Sequence, residues 1–240
     1  MDSFEKFIIE KAALISFSQA ELSNIASTLS TLKDIINSEP DFKEPFLGGS
    51  YKRATMVKSI SDVDVYFRYM GNGSPQLALQ KLKTCLVARY PNTTIRQDKP
   101  SILAEFNKIP INVTPFKENA LGVLGIPDEQ LMSWKAIEFG TLEKAITMLR
   151  QKDSRFIDLI KVLKLWNRNN NKDLRNFQIE IKACSLFLNS TSVSRALPDW
   201  LWTYYNSIGF NSEASKIFAM RLQKNEAILK TDWLNFIDKG

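Results

Sequence analysis

The chain contains no histidine in 240 residues. That absence removes Ser-His-Asp triads, Cys-His pairs, histidine-bearing zinc motifs and imidazole acid-base chemistry together. Cysteine is almost missing as well, with only Cys85 and Cys184, each in an apolar helical context. Two thiols cannot build a thiolate zinc site, and their settings point to reduced, buried side chains rather than a disulfide. No apolar run approaches the roughly 18 residues that a bilayer-spanning helix requires. The start, Met1-Asp2-Ser3-Phe4-Glu5-Lys6, is mixed in charge and has no secretory n-region, so a cytoplasmic protein without membrane attachment is expected. Any enzymatic chemistry must therefore run on carboxylates, lysines, hydroxyls or a hard metal ion held by oxygen.

What remains is ordinary for a globular chain. Hydrophobic residues make up 44% and charged residues 24%, which excludes disorder, a collagen-like repeat and a coiled-coil rod. Lys and Arg outnumber Asp and Glu by 32 to 26, a net charge of +6 that suits an anionic partner such as nucleotide or nucleic acid.

The first third opens with helix. Ser18-Gln19-Ala20-Glu21 reads as a capping box, followed by Leu22, Ile25, Leu29, Leu32, Ile35 and Ile36 at helical spacing until Pro40 and Pro45. Pro45-Phe46-Leu47-Gly48-Gly49-Ser50 predicts a short buried strand running into a glycine turn. Ser61-Asp62-Val63-Asp64-Val65-Tyr66-Phe67 alternates polar and apolar, the pattern of a half-buried strand. Ser74-Pro75 supplies an N-cap and first helical residue for the segment carrying Leu77, Leu79, Leu82, Leu86 and Val87. Strands are predicted at Thr93–Gln97, Ser101–Phe106 and Ile109–Thr114. Past Pro127 the pattern turns helical and stays so. One helix carries Phe156, Leu159, Ile160, Leu163 and Trp166; another carries an apolar stripe of Phe177, Ile181, Cys184 and Leu188; an aromatic-rich tail from Pro198 to Phe236 supplies more. Lys161, Lys164 and Arg168 fall at i, i+3 and i+7, a basic face opposite the apolar one. The expectation is a mixed α/β half over 1–150 and an all-helical half over 151–240.

Chemistry concentrates in one conjunction. Asp62 and Asp64 are two apart on a strand, so both carboxylates project to one face while Val63 and Val65 face the core. Carboxylates held that close repel unless a cation sits between them, and hard oxygen ligands match Mg2+ or Mn2+. Twelve residues before Asp62 stands Ser50, at the end of Gly48-Gly49-Ser50. The glycines let backbone N–H groups approach a phosphate with no Cβ in the way, and Ser50 adds a hydroxyl.

The stretch from Leu47-Gly48-Gly49-Ser50-Tyr51-Lys52-Arg53-Ala54-Thr55 to Ser61-Asp62-Val63-Asp64-Val65 resembles the signature of the DNA polymerase β-type nucleotidyltransferases. Within them it is most similar to the cyclic GMP-AMP synthase-like and oligoadenylate synthase-like branch, which includes bacterial cyclic-oligonucleotide synthases (CD-NTases). The run from Phe156 to Asn167 is similar to that family's helix ending in lysine-x-tryptophan-asparagine. Phe177-Gln178-Ile179-Glu180 falls where the family has an aromatic-x-x-acid helix start. The resemblance spans about Phe46 to Leu188.

It implies an α+β fold: a polymerase β-like core with a mixed sheet, plus an all-helical C-terminal lobe closing the active-site cleft. It also implies two metal ions on three carboxylates, the third on the strand Ile109-Pro110-Ile111-Asn112-Val113-Thr114-Pro115. Asn112 stands at that third position. An amide is neutral and accepts no proton, so the site lacks one of three charges and its base. Either the residue was replaced to silence the enzyme or this is a degenerate member. The resemblance further implies Lys164 as a triphosphate clamp, Asn176 near a phosphate-binding position and Phe177 as the base-stacking aromatic, beside Gly49 and Ser50. The expected activity is synthesis of a cyclic or linear oligonucleotide second messenger from nucleoside triphosphates in antiviral defence, under a nucleic-acid or protein activator. Two alternatives remain: a pseudoenzyme binding nucleotide or RNA, and a nucleotidyltransferase that modifies RNA or protein.

Overall fold

A computed structural model describes residues 3–170 and 174–188. In chain order the elements are α1 (Ser3–Ile15), α2 (Gln19–Ser38), β1 (Phe42–Gly48), α3 (Gly49–Lys52), β2 (Val63–Tyr69), α4 (Pro75–Arg89), β3 (Ile95–Asp98), β4 (Ser101–Phe106), β5 (Ile109–Glu118), β6 (Leu124–Pro127), β7 (Trp134–Ala136), α5 (Thr141–Lys152), α6 (Phe156–Asn169) and α7 (Asn176–Leu188). They group into two compact units, neither continuous in sequence. One holds 17–52 and 61–141; the other holds α1, residues 53–60 and the described residues from Leu142 onward. This division differs from a single cut near residue 150, because α1 and a short central segment join the later helices. Among the described residues no helix is long and apolar enough to cross a membrane.

The first unit is a seven-stranded mixed sheet in the order β1-β2-β5-β4-β3, with β6 and β7 continuing from β5. Only β2 and β5 run parallel; the other pairs are antiparallel. Val63, Val65, Phe67 and Tyr69 are buried while the residues between them are half-buried, which is the alternation the sequence carries. Ile25, Leu29, Leu32 and Ile36 form the buried stripe of α2. Its capping box forms as expected: Ser18 Oγ accepts from Glu21 N–H, and Glu21 Oε2 accepts from Ser18 N–H. α4 starts on the Ser74 cap with Pro75 in its first turn.

Two expectations about strands need correction. β1 begins at Phe42, not Pro45, and is an edge strand rather than a buried one. Pro45 fits because the ladder bulges between Lys43 and Phe46, with Glu44 at φ +52°. The chain also does not turn helical at Pro127: β6 ends there and β7 follows before α5 begins. These strands are four and three residues long, too short for a periodicity to show.

The second unit is helical. Phe7, Ile8 and Ala12 of α1 join Ile146, Phe156, Ile160, Leu163, Trp166, Ile179, Ala183 and Phe187 in one core, where the Phe156 and Phe187 rings stack at 4.8 Å. The stripe expected on α7 is displaced. Its buried residues are Ile179, Glu180, Ala183, Cys184 and Phe187, whereas Phe177, Ile181 and Leu188 are exposed. The aromatic tail from Pro198 to Phe236 lies outside the described residues.

Candidate active site

Cross-strand register places the site. Gly48 pairs with Asp64, Asp64 with Asn112, and Asn112 with Leu103, so these residues form one row across one face of the sheet. Gly48 closes β1, and Gly49 opens the single turn of α3 at φ +62°. A Cβ on Gly49 would lie 1.7 Å from Asp64 Oδ2, and one on Gly48 would lie 2.6 Å from the Tyr66 ring. Both glycines are therefore fixed by what lies over them: the Asp64 carboxylate occupies the place of a side chain at 49. Ser50 is buried in the same turn, its Oγ a long 3.4 Å from the carbonyl oxygen of Asp62. The turn and the Asp-x-Asp pair, twelve residues apart, are thus neighbours in space.

Asn112 meets both carboxylates. Its Nδ2 donates to Asp62 Oδ2 at 3.0 Å and, at a longer 3.4 Å, to Asp64 Oδ1. The amide hydrogens stand where the two acids turn toward one donor, a position that favours positive charge. Asp62 keeps open surface as a residue, yet protein atoms crowd its carboxyl, and that loss of water is the largest influence on its proton. It pushes the pKa above the ordinary aspartate value; the Asn112 bond pulls the other way, and the charge of Asp98 adds to the rise. Among the described residues no three acidic or thiol side chains gather to hold a metal. The donors on offer are two carboxylates and one amide oxygen, which would have to rotate inward. That set is hard oxygen throughout and fits Mg2+ or Mn2+ in kind, with one negative charge fewer than three acids supply.

The helical unit departs from expectation. Lys161, Lys164 and Arg168 form no continuous solvated basic face: Arg168 is exposed, but Lys161 is half-buried. Lys164 is fully buried, its Nζ donating to Glu180 Oε1 at 2.6 Å, to the Thr55 carbonyl at 3.0 Å and to Thr55 Oγ1 at 3.1 Å. Lys161 Nζ donates to Ser16 Oγ at 2.9 Å, and Arg168 donates to the Ser59 carbonyl. An ammonium whose three hydrogens are taken inside the protein is not presented as a phosphate clamp. Asn176 Nδ2 makes a long contact, 3.4 Å, with the Ile60 carbonyl. Phe177 is 46% exposed.

Arg53, Thr55 and Glu180 stand within the quoted motifs, yet no local pattern in the sequence assigns them a role. Glu180 is fully buried, accepting from Arg53 Nε at 2.7 Å and Thr55 Oγ1 at 2.5 Å as well as from Lys164. Arg53 also reaches Glu143 at 3.0 Å. An acid between Ile179 and Ala183 on the buried side of α7 was the available signal.

This mixed sheet with its Gly-Gly-Ser turn over an Asp-x-Asp strand, followed by helices, defines a polymerase β-like nucleotidyltransferase fold. The chain belongs to the Second Messenger Oligonucleotide or Dinucleotide Synthetase (SMODS) domain family, which it matches over residues 1–146, and it is a bacterial-type CD-NTase. A curated relative, the cyclic AMP-AMP-AMP synthase of Acinetobacter sp. (strain ATCC 27244 / 9458), is 27% identical over 174 residues, 66% of this chain and 50% of the relative. The chain thus spans about half the length of the curated relative it matches. Among solved structures, E. coli MS115-1 CdnC with ATP has a TM-score of 0.76 at 14% identity, covering 98% of this chain and 97% of that one. The CD-NTase CdnG of Bradyrhizobium diazoefficiens in complex with GTP gives 0.73 at 12% identity, covering 99% and 97%. A CdnC:HORMA-deltaN complex gives 0.72 at 15%, covering 96% of each. At these identities the likeness is one of fold.

Proposed function

We propose that this protein is a nucleotidyltransferase that joins nucleoside triphosphates into a cyclic or linear oligonucleotide second messenger, with its turnover restrained by Asn112. The observation that carries the reading is the convergence of Asp62, Asp64 and Asn112 beside a glycine turn that the Asp64 carboxylate itself keeps free of a side chain. In this reading Asp62, Asp64 and the Asn112 amide oxygen hold Mg2+ or Mn2+. Bound divalent cations would neutralise the triphosphate and lower the pKa of the attacking ribose hydroxyl. Gly49 offers a backbone N–H and Ser50 a hydroxyl to orient phosphate oxygens. Phe177, exposed on α7, serves as a stacking surface for a base, an interaction of about 1–3 kcal/mol that tolerates base identity. Asn112 binds but cannot take the hydroxyl proton, so the step that needs a base is slow. A protein activator fits the reading, given that a relative of the same fold is seen in a complex with HORMA-deltaN. A cytoplasmic role in antiviral defence accompanies it through the family resemblance.

A second reading is favoured by the amide itself. Asn112 hydrogens satisfy both carboxylates without a metal, as a protein that binds nucleotide without catalysis would have them.

Incubation with each radiolabelled nucleoside triphosphate in Mg2+ and in Mn2+, with product separation by thin-layer chromatography, decides between them. The Asn112 protein is expected to bind triphosphate and scarcely turn over, and Asn112→Asp to gain on the order of 10²–10⁴ in rate, the usual worth of a positioned base. An aspartate variant that binds nucleotide yet stays inert, with an activator supplied, establishes the pseudoenzyme. Label carried into RNA or protein instead of free oligonucleotide would replace the second-messenger product. Absence of any triphosphate binding sinks the reading altogether.

A further inference from the structure

We infer that Glu180 and Lys164 are positioning residues: their buried ion pair grips Arg53 and Thr55 at the start of residues 53–60, the strap that joins Ser50 to Asp62, and so fixes the glycine turn and the first carboxylate. The nucleotide readout of this inference rests on the function proposed above; its structural readout does not.

Chain order ties the strap to both segments. Arg53 follows α3 directly, three residues after Ser50, and Ile60 precedes Asp62 by two. Whatever fixes this strap acts on both segments it connects. Its first end is tied to one carboxylate, since Glu180 accepts from Arg53 Nε and from Thr55 Oγ1. Lys164 completes the ring by donating to the Thr55 carbonyl, to Thr55 Oγ1 and to Glu180. Farther along, Lys58 N–H donates to the Ile15 carbonyl at 2.9 Å, Arg168 donates to the Ser59 carbonyl, and Asn176 makes its long contact with the Ile60 carbonyl. Polar contacts thus recur along the whole segment.

Backbone geometry adds an independent observation. Ala54 lies at φ +59° and Ser59 at φ +60°, left-handed conformations that residues with a Cβ avoid. Such conformations persist where surrounding contacts over-determine them, and they concentrate at ligand clamps. Ala54 sits between the two residues that Glu180 grips. The charges also balance: Arg53 and Lys164 face Glu143 and Glu180. A buried ion pair is a poor way to gain stability, because apolar residues of similar volume serve as well or better. What the cluster supplies is direction, since three donors converging on one carboxylate admit few arrangements of the strap.

The test uses the full chain and two variants. Lys164→Met/Glu180→Met removes both charges together, leaving no uncompensated partner in that pair, and Thr55→Val removes the strap's hydroxyl at nearly constant volume. Backbone hydrogen exchange without nucleotide is expected to show amides of 49–52 and 61–64 exchanging at least about tenfold faster in both variants, with α2 and α4 unchanged. Calorimetry with ATP and with GTP in Mg2+ is expected to show at least about tenfold weaker binding, while circular dichroism reports an intact fold. If the double variant does not fold, Thr55→Val carries the test, for it buries no charge. Exchange unchanged at 49–52 and 61–64, or quickened in α7 alone, makes the pair a local stabiliser and overturns the inference. Should the unaltered protein bind neither triphosphate, the function proposed above fails, and the exchange pattern by itself decides the strap.

Discussion

Gly49 shows how much one residue type carries at this site. Its φ of +62° alone would cost an L-residue about 1–2 kcal/mol. The larger effect is steric, because a Cβ at 1.7 Å from Asp64 Oδ2 cannot coexist with that carboxylate as placed. Gly49→Ala is therefore expected to lower stability by about 1–3 kcal/mol, the range for a strained backbone position, and to displace Asp64 from Asn112. Urea unfolding reads the first effect, and titration with Mn2+ and a triphosphate reads the second. A variant that binds both as tightly as the unaltered chain would show that Asp64 does not serve the site. Asn112 is the opposite case, where the residue is sterically ordinary and its chemistry decides. It differs from aspartate by one charge and a pair of hydrogens, and those hydrogens join the two carboxylates that a third acid would repel.

At the scale of elements, local signals and tertiary structure meet most cleanly at α2. The Ser18–Glu21 box closes both ways, with Glu21 Oε2 2.7 Å from Ser18 N and Ser18 Oγ 3.3 Å from Glu21 N. Ser18→Ala should cost about 1 kcal/mol, the usual worth of such a cap, and should leave nucleotide binding untouched, since the box lies outside the site. A denaturant midpoint unchanged within error would mean that the helix end is held by packing alone. For β2 and β5 the element-level fact is register. A slip of one residue would turn Asp64 or Asn112 to the opposite face, among Val65 and Val113. The buried valines thus hold the polar face in place.

Across the whole molecule, each unit contains one cysteine: Cys85 on α4 in the sheet unit, Cys184 on α7 in the helical one. Burial pushes both thiols up to about 11, with the charges of Glu39 near Cys85 and Glu180 near Cys184 adding to the rise. Folded thiols therefore hold their protons more tightly than unfolded ones, so their effect on stability is nil below the ordinary value of 9.0. Stability falls as pH rises from there toward 11. At pH 8 the thiolate fraction of each is about 10⁻³, and neither should react with Ellman's reagent until its own unit unfolds. Following the two sites separately by mass spectrometry in graded urea would report each unit in turn. A fast phase from either cysteine in the native protein would refute the burial argument.

The sequence by itself determined the chemistry available and where most of the candidate site lies along the chain. Missing histidine excluded whole classes of mechanism, and the spacing of Gly48-Gly49-Ser50 with Asp62 and Asp64 located the turn and the carboxylates. Such signals are local: capping, alternation and glycine placement depend on neighbours a few residues away. Only the tertiary structure decided what depends on partners arriving from a distance. Lys164 reads as a surface cation by helical spacing, but Thr55, 109 residues before it, and Glu180, sixteen after, enclose it. Phe177 and Ile181 read as core, but the buried side of α7 is set by which face meets α6, and period alone leaves that rotation open. The short β6 and β7 carry too few residues for a pattern and exist because β5 offers β6 an edge and β6 in turn offers one to β7. Asn112 combines both lessons: its identity was plain in the sequence, and its bonds to the two acids became visible only when β2 and β5 lay side by side.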